Sequence, residues 1–192
     1  MSIEIEFKTS VVSHVEIRNR LRTGGARRIG RFVEVNQFFD SSEASLHRGG
    51  CGLRVRTATP EGNGIPVATL TFKGPRHPGA MKAREEIEVG VDDANATGTL
   101  LNRLGYALRL VFEKRRESWE LAGGDGRLCR IELDELPFIG NFVEVEGPDE
   151  VVIRDVLMKI GLSGARSIRE SYAELLASSG ARESSDLQEF RF

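Results

Sequence analysis

Apolar and charged residues alternate with a period of two in one segment after another of this chain. In IEIEFK, near the start, Ile3, Ile5 and Phe7 fall on one face of an extended chain and Glu4, Glu6 and Lys8 on the other. The pattern returns in LRVR (Arg54, Arg56), TLTFK (Lys73) and REEIEV (Arg84, Glu86, Glu88, with Ile87 and Val89 opposite). It returns again in FEKRRESW (Lys114, Arg116), IELDEL (Glu132, Asp134, with Ile131 and Leu133 opposite) and FVEVEG (Glu144, Glu146, with Val143 and Val145 opposite). Such alternation marks half-buried strands. A chain with about eight of them, mostly consecutive, is expected to be α+β with an antiparallel sheet. A closed or nearly closed eight-stranded barrel with helices packed outside removes the sheet edges.

The segments between the strands are helices and turns. SHVEIRNRLRTGG reads as a helix, with Ser13 and Glu16 at capping-box spacing and Gly24 and Gly25 as the stop. ARRIGRFVEVNQFFD reads as one or two strands, and SSEASLHRGG as a turn or short helix. CGLRVRTA, PVATLTFKG and KAREEIEVG are strands joined by TPEGNG and PRHPGAM. DDANATGTLLNRLG is a helix with an Asp cap that ends at Gly105. RLVFEKRRESWEL, RLCRIELDEL and FIGNFVEVEG complete the strands. GPDEVVIRDVLMKIG is a helix with Pro148 near its first position. SIRESYAELLAS is a last short helix. With no repeat and no linker, residues 1–178 read as one domain and residues 179–192 as a frayed tail. GPRHPGA is a connector, or a mobile rim over whatever the strands enclose.

Several function classes fall away on composition. The 27 Lys and Arg against 29 Asp and Glu give a net charge of -2, without the basic footprint of a nucleic-acid binder. No apolar run is long enough to span a membrane, and the acidic start is unlike a signal peptide. Cys51 and Cys129 form no CxxC pair, which reads as reduced thiols in a cytoplasmic protein. His14, His47 and His77 are isolated, not spaced as a metal-binding set.

The charges themselves carry the functional reading. Seven cations and eight anions share one sheet face in the segments quoted. Any single strand of this kind is an ordinary solvated face. Jointly they are harder to explain that way, because full charges recur and like charges sit together: Glu4 with Glu6, Glu86 with Glu88, Glu144 with Glu146, Arg54 with Arg56, Lys114 with Arg116. Like charges side by side on a sheet are unfavourable unless a partner intervenes. The amphipathic helices need the apolar face, so the charged face must line the inside of the barrel. Such a lumen makes sense around water, metal ions and a polyanion. Carboxylates bind hard divalent cations, and Arg and Lys bind phosphate oxygens.

Glu4-x-Glu6-x-Lys8 resembles the ExExK signature of the CYTH superfamily, the triphosphate tunnel metalloenzymes. The resemblance continues in order through FFDSSEASLHRGGCGLRVR, LTFKGP, MKAREEIEV, YALRLVFEKRRESWEL, IELDELPFIGNFVEVEG and SYAELL. SSEAS departs from it, standing where the family usually has a Thr-Pro turn. LTFKGP, LDELP and SYAELL look most like the class IV adenylate cyclase branch. The resemblance implies an eight-stranded tunnel and dependence on Mg²⁺ or Mn²⁺; members are often dimeric, so a homodimer is one option. It implies Glu4, Glu6 and Glu146 as metal ligands, with Glu144 and Glu88 close behind. Arg54, Arg56, Lys73, Lys114 and Arg116 would hold the triphosphate, with Arg84 a further candidate. Lys8 either binds phosphate or fixes Glu6. Asp134 and Glu132 bind a second metal, orient a cation or position a nucleophile, with an ordinary ion pair the alternative for Glu132.

The expected partner is a small-molecule triphosphate, ATP or inorganic triphosphate, rather than nucleic acid or a membrane. The leading activity is an adenylate cyclase, in which the ribose 3′ oxygen attacks the α-phosphorus of ATP and pyrophosphate leaves. A triphosphatase acting on inorganic, thiamine or nucleoside triphosphate is the alternative, and a non-catalytic polyphosphate or nucleotide binder the third. The aromatic residues Phe7, Phe72, Phe112 and Trp119 read as core or helix-packing material. No adenine pocket is placed by the sequence.

Overall fold

The structure is a computed structural model that describes residues 2–79, 81–179 and 187–192. Among the described residues, eight strands close into an antiparallel barrel. They are β1 (Ser2–Val11), β2 (Arg27–Ser41), β3 (Gly52–Pro60), β4 (Val67–His77), β5 (Lys82–Val91), β6 (Tyr106–Ala122), β7 (Leu128–Leu136) and β8 (Gly140–Gly147). The order around the barrel is β2-β3-β4-β5-β1-β8-β7-β6, and β6 pairs back onto β2. The closing seam runs from Arg27 opposite Glu120 to Ser41 opposite Tyr106, with irregularities at Arg28/Gly30 and Phe38/Phe39. The segment ARRIGRFVEVNQFFD is therefore one long strand. A bulge bends a strand and sharpens its twist without ending it.

Helices take the apolar outer face. α1 (Val15–Thr23) and α4 (Glu150–Lys159) bury Ile17, Leu21, Ile153 and Val156 against Phe7, Trp119, Ile131 and Val145 of the barrel. α3 (Ala94–Arg103) places Leu101 against Phe39 and Val55. With that face apolar, strand alternation sends the charges inward. α2 (Ser45–Arg48) is a single turn tied down by Asp40, whose carboxylate accepts from the backbone N–H groups of Leu46 and His47. Among the described residues, no helix is long and apolar enough to cross a membrane.

Several local expectations shift. α1 starts after His14, so Glu16 lies one position too early to complete a capping box with Ser13 and pairs instead with Arg20. Pro148 lies before the cap of α4, because the Asp149 carboxylate accepts from the N–H groups of Val151 and Val152. Gly161 (φ 77°) then ends α4 in the left-handed region that side chains disfavour. The loop expected at GPRHPGA is mostly strand: β4 runs on to His77 through an irregularity, and Arg76 pairs with Arg84. The last helix, α5, is Tyr172–Ser178; SIRE stays outside it because Ser171 and Glu174 form a capping box at its start. Within the expected tail, residues 180–186 lie outside the described residues. Gln188–Phe190 form β9, which pairs in parallel with β6 and buries Phe190.

The two cysteines differ sharply in setting. Cys129 is buried beneath α4, and burial pushes its thiol up to about 11. Cys51 is only half-buried. At about pH 8 a thiol reagent should react with Cys51 in the folded protein and with Cys129 only after unfolding. Two equally fast equivalents would contradict that packing.

A charged tunnel as the candidate functional site

A cavity of about 1440 Å³ runs through the barrel. Every site residue nominated from the sequence except Asp134 lines it, and Asp134, fully buried, binds cations that do. Strand register explains who meets whom. Glu4 lies opposite Arg84 and Lys73 opposite Glu86, so Lys73 Nζ sits 2.8 Å from Glu4 and 2.6 Å from Glu86. Arg84 approaches Glu4 at 3.8 Å. Glu6 is held by Lys82 at 2.6 Å, and Lys8 lies between Glu6 (3.9 Å) and Glu144 (3.7 Å).

A denser network fills the next level. Arg116 donates to both oxygens of Asp134, at 2.7 and 2.5 Å, and to Glu144 at 2.7 Å. Asp134 also receives Lys114 at 3.3 Å and the Tyr172 hydroxyl at 2.9 Å. Glu34 lies 3.3 Å from both Lys114 and Arg56. Ser118 donates to Glu132 at 2.5 Å, and Arg116 lies 3.7 Å from Glu132. Glu88 is at the more open edge, accepting from Thr71 at 2.9 Å with Arg54 at 3.8 Å.

Two kinds of imbalance remain in the lumen. Burial opposes the charge on Glu144, yet Arg116, Lys8 and Lys114 together hold its carboxyl well below the usual range. Glu146 has no such excess of cations: burial first, then Glu4, push its carboxyl up to about 7. Burial lowers the Lys8 ammonium and raises the Glu132 carboxyl. Burial, then the adjacent Arg56, crowd Arg54 and lower its hold on a proton. The second imbalance is in hydrogen bonding. Asn36 Nδ2, Arg54 Nε and Arg84 Nε are buried donors without a hydrogen-bond acceptor among the described residues. A buried donor left unpaired costs about 1–3 kcal/mol. An anion with many oxygens supplies acceptors and balances Arg54 and Arg56 together.

The carboxylates present the complementary case. Burial, with the negative charges of Glu4 and then Glu86 adding to it, raises the Glu146 carboxyl, and the donors that these three side chains offer are all oxygens. That donor chemistry suits a hard divalent cation. Among the described residues, no three His, Cys, Asp or Glu side chains converge closely enough to hold an ion as they stand. Lys73 stands between Glu4 and Glu86, so those carboxylates would have to exchange a lysine for a cation.

Sequence reasoning missed Glu34, Asn36, Lys82, Arg130 and Tyr172, of which all but Glu34 line the cavity. Four of them carry the period-two signal: Glu34 and Asn36 follow the inward register of β2, Lys82 precedes Arg84, and Arg130 precedes Glu132. Tyr172 sits on a helix, where no alternation could flag it. α5 lies against the lumen, with the Tyr172 ring 4.5 Å from Lys8 Nζ and 5.3 Å from Lys114 Nζ. Its capping Glu174 also binds Arg76 of β4.

That anchor should respond to acid. Burial pushes the Glu174 carboxyl up, but hydrogen bonds from Arg76 and Ser171 outweigh it and hold the group down at about 2. A depressed carboxylate contributes stability above its unfolded pKa, and that contribution is lost as pH falls through the folded value. From about pH 4.5 down to about 2, the wild type should therefore lose stability faster than Glu174→Gln. Parallel unfolding curves for the two across that range would show that the anchor contributes nothing.

The CYTH domain family matches residues 2–172. A candidate adenylate cyclase of Methanocaldococcus jannaschii is 25% identical over 182 residues, covering 90% of this chain and 98% of that protein. The adenylate cyclase CyaB of Aeromonas hydrophila is 30% identical over 151 residues, 74% of this chain and 71% of that one. Among solved structures, a candidate adenylyl cyclase from Hippeastrum, described as having a dominant triphosphatase activity, superposes with a TM-score of 0.66 at 18% identity. It covers 91% of this chain and 95% of that one.

Proposed function

This chain belongs to the CYTH family, and we propose that it is a divalent-metal-dependent enzyme that converts ATP to cyclic AMP and pyrophosphate inside the tunnel. The observation that carries the triphosphate reading is the set of buried donors without acceptors, Asn36, Arg54 and Arg84, on the wall that also carries Arg56 and Lys73. The cyclase reading draws on the adenylate cyclase names of the M. jannaschii and A. hydrophila relatives.

Most of the charged side chains in the lumen take a role in this proposal. Arg54, Arg56, Lys73, Arg84, Lys114 and Arg116 bind the phosphate chain and orient it. Glu4, Glu6 and Glu146 would hold Mg²⁺ or Mn²⁺, with Glu88 at the open edge. The cation supplies charge neutralisation at the phosphate oxygens. Glu144 serves better as the counter-ion that fixes Arg116 and Lys8, since both already engage it. Asp134 has the same duty toward Arg116 and Lys114. Lys8 Nζ is suited to exchange a proton, because burial makes it release one more readily than an ordinary lysine.

A triphosphatase is the second reading. It is favoured by the activity described for the Hippeastrum structure, whose barrel this chain shares. One barrel can host either reaction, depending on which phosphorus lies in line with which oxygen. Incubation with ATP and with inorganic triphosphate, each with Mg²⁺ or Mn²⁺, followed by product separation, tests both. Cyclic AMP with pyrophosphate is expected. Phosphate release without cyclic AMP would replace the cyclase with the triphosphatase, and no product from either substrate would defeat both.

A further inference from the structure

The last residues of the chain form part of the lumen wall, although everything after Tyr172 lies beyond the span matched by the CYTH family. β7 borders β6 only from Arg115 to Ala122, so the edge of β6 before Arg115 has no partner in β7. β9 takes that edge, with Gln188 opposite Leu110 and Phe190 opposite Phe112. Register partners in a sheet share a face. Leu110 and Phe112 line the cavity, so Gln188 and Phe190 turn the same way. Gln188 is itself part of the lining, and Phe190 is 1% exposed.

Phe190 also meets α5. It packs in one cluster with Tyr172 and Leu176 of that helix and with Leu110, Phe112 and Phe142 of the barrel. A seven-residue helix is too short to hold its shape alone, so what it packs against sets its place. At its start α5 has the Arg76–Glu174 anchor. On its buried face it has Phe142, whose ring centroid is 5.2 Å from that of Tyr172, and Phe190. The tail is tied down from outside as well. Arg191 lies 2.9 Å from Glu113, the Phe192 N–H donates to the same carboxylate at 3.3 Å, and the Arg115 guanidinium stands 4.0 Å over the Phe192 ring. What α5 brings to the lumen is Tyr172, with its ring beside Lys8 and Lys114 and its hydroxyl on Asp134.

We propose that β9 is a strap that completes the lumen wall, and that Phe190 is a positioning residue, acting through α5 to keep Tyr172 across Lys8 and Lys114. The effect on ligand rests on the triphosphate reading, and the strap adds to it a segment outside the family's span. Loosening the strap would release α5, withdraw Tyr172 from the two ammonium groups and open the lumen between β6 and α5.

The test titrates inorganic tripolyphosphate in EDTA, so that binding is read without turnover, and follows amide hydrogen exchange in α5. Phe190→Ala should weaken tripolyphosphate by roughly tenfold, the order of one desolvated cation–π contact, and should speed exchange in α5. Phe190→Leu, which keeps an apolar side chain there, should restore most of both. In a Tyr172→Leu background, Phe190→Ala should add little further loss, because the two act on the same contact. Arg191→Ala loosens the strap without opening the core and should move both readouts the same way by a smaller factor; it decides the matter if Phe190→Ala does not fold. Unchanged affinity and unchanged α5 exchange in these variants would overturn the strap. A full tenfold loss persisting in the Tyr172→Leu background would overturn its action through Tyr172. Failure of the wild type to bind tripolyphosphate would overturn the triphosphate reading, and α5 exchange alone would then decide the strap.

Discussion

Asp134→Ala should cost about 3–5 kcal/mol of stability, the range for removing one partner of a buried ion pair. Asp134 is 0% exposed and receives Arg116 through both oxygens, Lys114, and the Tyr172 hydroxyl. Its removal leaves Arg116 and Lys114, 10% and 3% exposed, short of a counter-ion at a point largely shielded from water. Glu144 and Glu34 remain beside Arg116 and Lys114, which places the expected loss toward the lower end of the range. Asp134→Asn keeps an acceptor for Tyr172 but not the charge, and should fall between the alanine variant and the wild type. Denaturant titration reads all three. A loss below about 1 kcal/mol for Asp134→Ala, typical of an exposed pair, would show that the network is solvated rather than buried.

Glu4→Gln is the second large effect, and it should appear in turnover rather than stability. Glu4 keeps its shape as glutamine, and Lys73 retains Glu86 at 2.6 Å, so the protein should stay folded. The variant removes a negative oxygen donor from the Glu4, Glu6 and Glu146 set proposed to hold the cation. Even residues that only orient metal ligands typically cost 10–100-fold in metal affinity or activity when mutated. A ligand itself should cost at least the upper part of that range, about 100-fold. Raising Mg²⁺ or Mn²⁺ should recover part of the loss if the variant weakens metal binding. Full activity at low metal would remove Glu4 from the metal site. Glu6→Gln is a poorer probe, because Glu6 is the buried partner of Lys82 and its loss mixes folding with chemistry.

The barrel was legible because its strands alternate so strictly. Once the helices claim Phe7, Ile131, Val143 and Val145, the inward direction of Glu6, Glu132 and Glu144 follows. Register was not legible. Nothing local in the sequence says that Lys73 will face Glu86 rather than Glu88, and a shift of one residue would invert the face. Glu34 and Asn36 were passed over because neither pairs with a like charge on its own strand. Their importance comes from Lys114 and Arg56, which are distant in sequence. The aromatic assignments hold as packing material: Phe7 and Trp119 pack under the outer helices, and Phe112 packs with Leu176 of α5 and Phe190 while also lining the cavity beside Phe38. The bulge at Phe38/Phe39 helps to obscure that side from sequence. β9 escaped notice because three residues carry too short a pattern to stand out from a tail.

A crystal structure grown with tripolyphosphate and Mg²⁺ would place the ligand directly. The phosphate chain should lie in the lumen, with Arg54 and Arg84 donating to its oxygens through the nitrogens that now lack acceptors, and Lys73 displaced from Glu4 or Glu86. Ligand bound on the outer surface, with the ion pairs of Lys73, Lys82 and Arg116 unchanged inside the barrel, would contradict the tunnel as the functional site.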